Sequence, residues 1–247
     1  MISSQNKLTS KFLPFLFLLT VITSCKKQET KMNLPEFGSV TDVCGNTYTT
    51  IKIGNQWWMA EDLRTTKYTS DTSFISLSMD TMWQHKTTGA YCNVLNNQSL
   101  PIGRLYNWYA VTDPRGIAPT GWHIPTDSEW QELEQHLGMS PDVSNATGWR
   151  GTHEGEKLKV LRGTTYGWSD FSNVWNTNES CFSALSLGCR MFDSSWGDPG
   201  QGSTGFWWTS SPNGTQAWYR YLDYKNTNVF RYHGLKTYGF SVRCVKD

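Results

Sequence analysis

Apolar and polar positions divide this chain into distinct textures. An uninterrupted apolar run of eleven residues, Phe12 to Ile22 (FLPFLFLLTVI), stands near its start. Residues 26–40 are polar and aperiodic and contain Pro35, which is the pattern of a flexible tether. From Asp42 onward short alternating runs take over. Thr47 to Ile53 (TYTTIKI) is β-branched and aromatic and predicts a strand. Gly54-Asn55 marks a turn into a hairpin partner at residues 56–60 (QWWMA). Residues 64–102, rich in Ser, Thr and Asn, predict mostly loop, and GRLYNWYAV predicts a short helix. The strongest helical pattern covers 127–137. Thr126 and Glu129 form a capping box, Trp130, Leu133 and Leu137 repeat on one face, and Gly138 stops the helix. Glu132 and Glu134 fall on the side of that helix expected to face water. A short helical piece is expected from Gly155 to Leu161, and loop over residues 163–180. FSALSLGCR, GFWWTSS, AWYRYLDYK, NVFRYHG and YGFSVRCV then predict strands, with turns at Asn213-Gly214 and at 226–228. The expected class is α+β, with few helices, antiparallel strands and much loop.

The apolar run is too short to span a bilayer as a helix, which needs about 20 residues, but it suits a signal peptide. Lys7 and Lys11 precede it, and Ile22-Thr23-Ser24-Cys25 ends it. That tetrad resembles the lipobox of bacterial lipoproteins. The resemblance implies cleavage before Cys25, leaving residues 1–24 behind, and acylation of the Cys25 thiol and of its new amine. Several acyl chains would anchor a 25–40 tether stably, at about 0.8 kcal/mol per buried methylene. The expected location is the outer membrane, facing the periplasm or the cell surface.

Loss of the two leader lysines turns a formal charge of +1 into −1. That balance provides no field for gripping nucleic acid, so no nucleic-acid partner is expected. Aromatics make up 14% of the chain, including 13 Trp, a composition that disordered chains lack. Five cysteines follow Cys25, an odd number for an oxidising compartment. Cys181 and Cys189 are close enough in sequence to staple a loop. Cys44 and Cys244 lie near the two ends of the folded region, where a bridge would pin them, and Cys92 with Cys244 is the alternative.

Candidate chemistry is sparse. The five histidines form no metal-ligand spacing, and His123 is expected as a packed strand residue bonded to backbone. G-x-S-x-G is absent. Asp193 and Asp198 flank a Gly-rich loop, where they could close Asx turns, bind calcium structurally or accept hydrogen bonds from a sugar. Tryptophans on strands and helices default to core packing. Trp149, Trp168, Trp175 and Trp196 instead sit in polar loop stretches. A loop Trp beside Asp and Asn can stack on the apolar face of a sugar. The candidate ligand-binding residues are therefore Trp168, Asp170, Trp175, Asn176, Asp193, Trp196 and Asp198. No catalytic or metal-ligating set emerges, and no cofactor is expected beyond a structural calcium.

GNTYTTIKIGNQWWMAEDLR, GRLYNWYAV, GWHIPTDSEWQEL and the closing GFSVRCV together resemble the Fibrobacter succinogenes major paralogous domain. That family is common in secreted and lipid-anchored proteins of Bacteroidetes, and the resemblance covers residues 41–247. The GW-x-x-P-T-x-x-E-W segment and the terminal GF-x-V-R are also similar to the C-type-lectin-like fold of formylglycine-generating enzymes. This implies that a C-terminal strand closes the sheet beside the N-terminal one, bringing Cys44 near Cys244. Ala118 stands where many members have cysteine. The resemblance carries no settled activity. The leading expectation is a non-catalytic binding module for a glycan or an envelope protein. An oxidase of the formylglycine-generating type, which needs two adjacent reduced cysteines, and a structural envelope or appendage subunit are the alternatives.

Overall fold

A tight turn at Gly54, whose φ of +61° suits glycine, folds the first strong strand pattern onto the second. β2 (Thr47–Ile53) and β3 (Gln56–Met59) pair there antiparallel, with Ile53 opposite Gln56. A computed structural model describes residues 34–76, 80–94, 97, 102–197 and 202–247. Cys25 and Asp198 lie outside the described residues. The described elements fall within one unit, Pro35–Asp247. β1 (Phe37–Thr41) adds to the free side of β2, so the ordered sheet begins inside the stretch whose composition suggested tether.

The other side of β3 receives β14 (Val245–Lys246), which also pairs with β7 (Trp122–His123). The resulting order is β1-β2-β3-β14-β7, closing N-terminal strands onto the C-terminus as expected. A small sheet joins β4 (Ile75–Ser76), β5 (Ala90–Asn93) and β6 (Arg104–Tyr106), with α1 (Asp80–Trp83) between its first two strands. GRLYNWYAV is thus half strand. α2 (Trp108–Val111) starts only where the Asn107 side chain accepts from the Ala110 amide.

α3 (Asp127–His136) carries the full capping box of Thr126 and Glu129. α4 (Pro141–Ser144) follows it, and α5 (Glu154–Leu158) fills the second expected helical stretch. A Cβ on Gly155 would lie 2.3 Å from the Asn228 carbonyl oxygen, so only glycine lets α5 approach that turn. The largest antiparallel sheet has the order β11-β12-β13-β8: β11 (Thr204–Asn213), β12 (Gln216–Asp223), β13 (Val229–Leu235) and β8 (Gly148–Arg150). FSALSLGCR forms only the two-residue β9 (Cys189–Arg190), paired with β10 (Trp196–Gly197). The sheets are antiparallel apart from the short β4–β5 pair, and the class is α+β.

The core between α3 and the first sheet centres on Trp58, Trp130 and Phe182, edge-on at 5.1–5.7 Å. Such aromatic pairs add about 0.5–1.5 kcal/mol each beyond their buried area. Trp207 and Trp208 are also fully buried, as strand position predicts.

Candidate functional site

Successive residues of a strand point to opposite faces. In β12 and β13 this rule separates two unlike sets. Register places Arg220 opposite Arg231, and Val229 opposite Arg150, on the face toward α3. Tyr219 opposite Tyr232, Tyr221 opposite Phe230, and Phe230 opposite Trp149 share the other face. The arginines point inward and the rings point outward.

The inward arginines meet the acidic residues of α3. Glu134 receives two hydrogen bonds from Arg150, at 2.6 and 2.8 Å, and one from the Arg220 Nε at 2.6 Å. Asp127 takes Arg220 at 2.7 Å and Arg231 at 2.7 Å. Glu134 and Arg220 are 0% exposed, which corrects the expectation that Glu134 sits on the solvated helix face. Burial works against the Asp127 charge, yet its bonds to Arg231 and Arg220 hold its carboxyl below the ordinary range.

The outward face carries a chain of ring contacts in which Phe240 and Trp208 are buried and the other rings reach the surface at least in part. Trp149 meets Tyr221 and Phe230 at 5.2 Å each. Phe206 stacks on Tyr221 at 4.5 Å and on Phe240 at 5.0 Å. Tyr219 lies 5.0 Å from Phe240, and Tyr238 lies 5.6 Å from it. Phe192 extends the run at 6.2 Å from Tyr238. At one end α2 and β6 close this face over Trp208, whose indole N–H donates to the Tyr106 carbonyl. Its margins are open, with Trp149 40%, Tyr232 43% and Phe192 49% exposed. Gly234 makes the floor: a Cβ there would sit 2.9 Å from the Tyr238 ring. Burial raises the pKa of Tyr219 and of Tyr238, so both stay phenols that can donate and accept. Tyr221 donates to Asp223 at 2.8 Å.

The expected site residues are divided among several places. Trp168 is a core pin, buried with its N–H on the Ala184 carbonyl, and Asn176 is buried. Trp175 is 67% exposed, with the Arg162 guanidinium 4.9 Å from its ring, and Asp170 pairs with Arg162 at 3.4 Å. Trp196 packs against Arg190 instead. Asp193 accepts from the Ser195 amide and hydroxyl, closing an Asx-type turn next to Phe192. Among the described residues, Asp193 is thus the one expected residue bordering the aromatic run. Trp149, expected in a loop, belongs to it through β8. The run itself was missed, although the aromatic residues at alternate positions of AWYRYLDYK and NVFRYHG carry its signal. Among the described residues no cluster of three His, Cys, Asp or Glu could hold a metal ion.

Neither expected disulfide is present, and no bridge joins the described cysteines. Cys181 packs in the cluster around Trp58 and Trp130, whereas Cys189 packs with Phe240 and Trp208 and donates to the Met191 sulfur at 3.5 Å. The two thiols therefore belong to different cores and are not the adjacent pair an oxidase would need. Cys244 is fully buried, and its thiol is pushed well up by burial. Cys44 lies near the surface instead, where the Thr65 and Thr66 hydroxyls hold its sulfur at 3.4 and 3.5 Å. Burial likewise pushes the Cys92 thiol up to about 12.

His123 corrects a further expectation, because it bonds carboxylates rather than backbone. Its Nδ1 meets Asp247 at 2.6 Å and its Nε2 meets Glu129 at 2.7 Å, beside a cleft of about 510 Å³. Burial opposes the imidazolium, but the two carboxylates outweigh it and raise the pKa. Protonation therefore favours the folded state. That stabilisation is complete below the unfolded value of about 6.5 and disappears as pH rises through the folded value. Urea unfolding of wild type and His123→Gln should show their largest gap near pH 5.5 and a small one at pH 9. A gap independent of pH would contradict this.

The molecule is thus an α+β domain whose largest sheet buries arginines on one face and presents rings on the other. Residues 51–246 match the Fibrobacter succinogenes major domain, and the chain belongs to that family. No curated protein and no solved structure matches it.

Proposed function

We propose that this chain is a lipid-anchored, extracytoplasmic, non-catalytic binding module, and that its ligand is a glycan held on the outward face of the β11–β12–β13–β8 sheet. The observation that carries this reading is the continuous, partly exposed run Trp149–Tyr221–Phe206 with phenol hydroxyls among its rings. Contiguous apolar surface of this kind marks interaction sites rather than ordinary surface. Rings stack on the C–H faces of a pyranose, and the hydroxyls of Tyr219, Tyr221 and Tyr238 are placed to bond its hydroxyls. The inward arginines are locked by Asp127 and Glu134, so they offer nothing to an anionic ligand. The lipobox-like Cys25 supports the anchor and a position at the outer membrane. No described helix is long and apolar enough to cross a membrane.

The test has two arms. On a glycan array, Tyr221→Ala and Trp149→Ala should each weaken binding at least about tenfold, since a hot-spot aromatic contributes 1.4 kcal/mol or more. Unchanged binding in both would end the assignment of this face. In fractionated cells, Cys25→Ser should move the protein from membrane to soluble fraction and abolish acyl labelling. Membrane retention without acylation would refute the anchor.

A further inference from the structure

Two carboxylates border the aromatic face, and neither belongs to an ion pair among the described residues. Asp223 shares the face with Tyr221 on β12, and its Oδ2 accepts the Tyr221 hydroxyl. Its Oδ1 accepts from the Lys225 amide at 2.6 Å and from the Asn226 side chain at 3.3 Å. Asp193 stands at the opposite margin, beside Phe192, with one oxygen engaged by Ser195. Hydrogen bonds from Ser195 hold the Asp193 carboxyl below its ordinary value, so it is ionised at neutral pH.

The arginines of this part of the molecule are committed elsewhere. Arg150, Arg220 and Arg231 lie on the inward face with Glu134 and Asp127. Lys159 is buried beneath Asp223, its ammonium held by the Asp223 and Asn226 carbonyls, set over the Trp168 ring and favoured by the Asp223 charge, and Lys225 lies over Tyr224. Lys236 lies over Trp108. Electron-rich rings flanked by carboxylates that lie outside any ion pair among the described residues form a surface complementary to positive charge. A neutral sugar would leave that charge complementarity unused, and an acidic one would be repelled.

We propose that the ligand is an amino-bearing saccharide, a hexose chain with protonated amines that stacks on the rings between Trp149 and Phe192 and places ammonium groups against Asp193 and Asp223. This inference rests on the glycan reading above and narrows it to one chemical class. The rings supply attraction for both the C–H faces and the cation. Each carboxylate adds the modest contribution of an exposed ion pair, which salt screens.

The test is calorimetric titration of the full-length chain in detergent with three tetramers: β-linked glucosamine, its N-acetylated counterpart, and β-linked glucose. The glucosamine tetramer should bind about tenfold more tightly than the other two, and added salt should erase that preference. Asp193→Asn and Asp223→Asn should each weaken its binding roughly threefold to fivefold, the range of an exposed ion pair, without affecting the glucose tetramer. Equal affinity for all three tetramers, sensitive to Tyr221→Ala, would overturn the amino-sugar class and leave the glycan reading intact. Failure of every tetramer to bind would overturn both. Tighter binding of a lysine-rich peptide than of the glucosamine tetramer would also overturn the proposal.

Discussion

Glu134→Gln should lower the free energy of unfolding by about 3–5 kcal/mol, the range for breaking a buried ion pair. Glu134 neutralises two arginines at once, Arg150 through both its oxygens and Arg220 through Oε1. All three side chains are excluded from water. An amide there keeps the shape but removes the charge, leaving Arg150 without a carboxylate. Arg150 already has an Nε with no partner, and burial, with the nearby Arg220 and Arg231 charges, pushes its pKa down despite Glu134. Against a typical domain stability of about 5–15 kcal/mol, the loss should appear as a much lower urea midpoint and melting temperature.

The companion variant separates charge from shape. Glu134→Leu combined with Arg150→Met removes one anion and one cation, while Arg220 keeps Asp127 as its partner. Replacing a buried pair by apolar side chains is often near neutral. The double variant should therefore recover most of the stability lost in Glu134→Gln. Stability equal to or below that of the single variant would show that packing, and not charge, dominates at this position.

Arg243→Met should be nearly as damaging. Arg243 lies in the closing GFSVRCV segment, and its Nε meets Asp62 at 2.6 Å with both side chains 0% exposed. Its other nitrogens donate to the Phe182 and Ser183 carbonyls, and its guanidinium lies over the Phe182 ring. Removal strands the Asp62 carboxylate, which retains only the Trp207 N–H at 2.9 Å, and frees two carbonyls. The expected cost is again about 3–5 kcal/mol. The exposed pair of Lys52 with Glu36 provides the contrast. Lys52→Ala should change stability by no more than about 1 kcal/mol, because water screens that pair. Equal losses from Arg243→Met and Lys52→Ala in urea unfolding would refute the ranking.

These effects explain why parts of the molecule were legible from sequence and others were not. α3 was readable because its signals are local. Its cap and its N3 partner are three residues apart, and its buried Trp130 and Leu133 are neighbours on one turn. The hairpins of β2 with β3, and of β11 with β12 and β13, were readable for the same reason, since turn residues stand directly between the paired runs. Two-residue strands such as β9 and β14 were overestimated in length. Their pairing depends on distant partners, not on their own β propensity.

The candidate site was legible only at its margin. Asp193 and Trp149 were singled out, but the Tyr and Phe rings between them lie on predicted strands and drew no functional reading. Period-2 alternation identifies two faces and does not say which faces water. In β12 and β13 the arginines face inward, because acids buried opposite them on α3 compensate their charge. Trp168 and Trp175 looked alike in sequence, and only the fold gave one to the Ala184 carbonyl and left the other 67% exposed.

The sequence by itself determined the α+β class, the α3 helix with its cap, the family and the order of the main hairpins, because each rests on residues near one another in the chain. Tertiary structure alone decided that Glu134 is buried, that the described cysteines form no bridge, and that the rings of one sheet face outward. Glu134 is 16 residues from Arg150 and 86 from Arg220. The free energy of burying a charge depends on whether such partners arrive, and no local pattern records that.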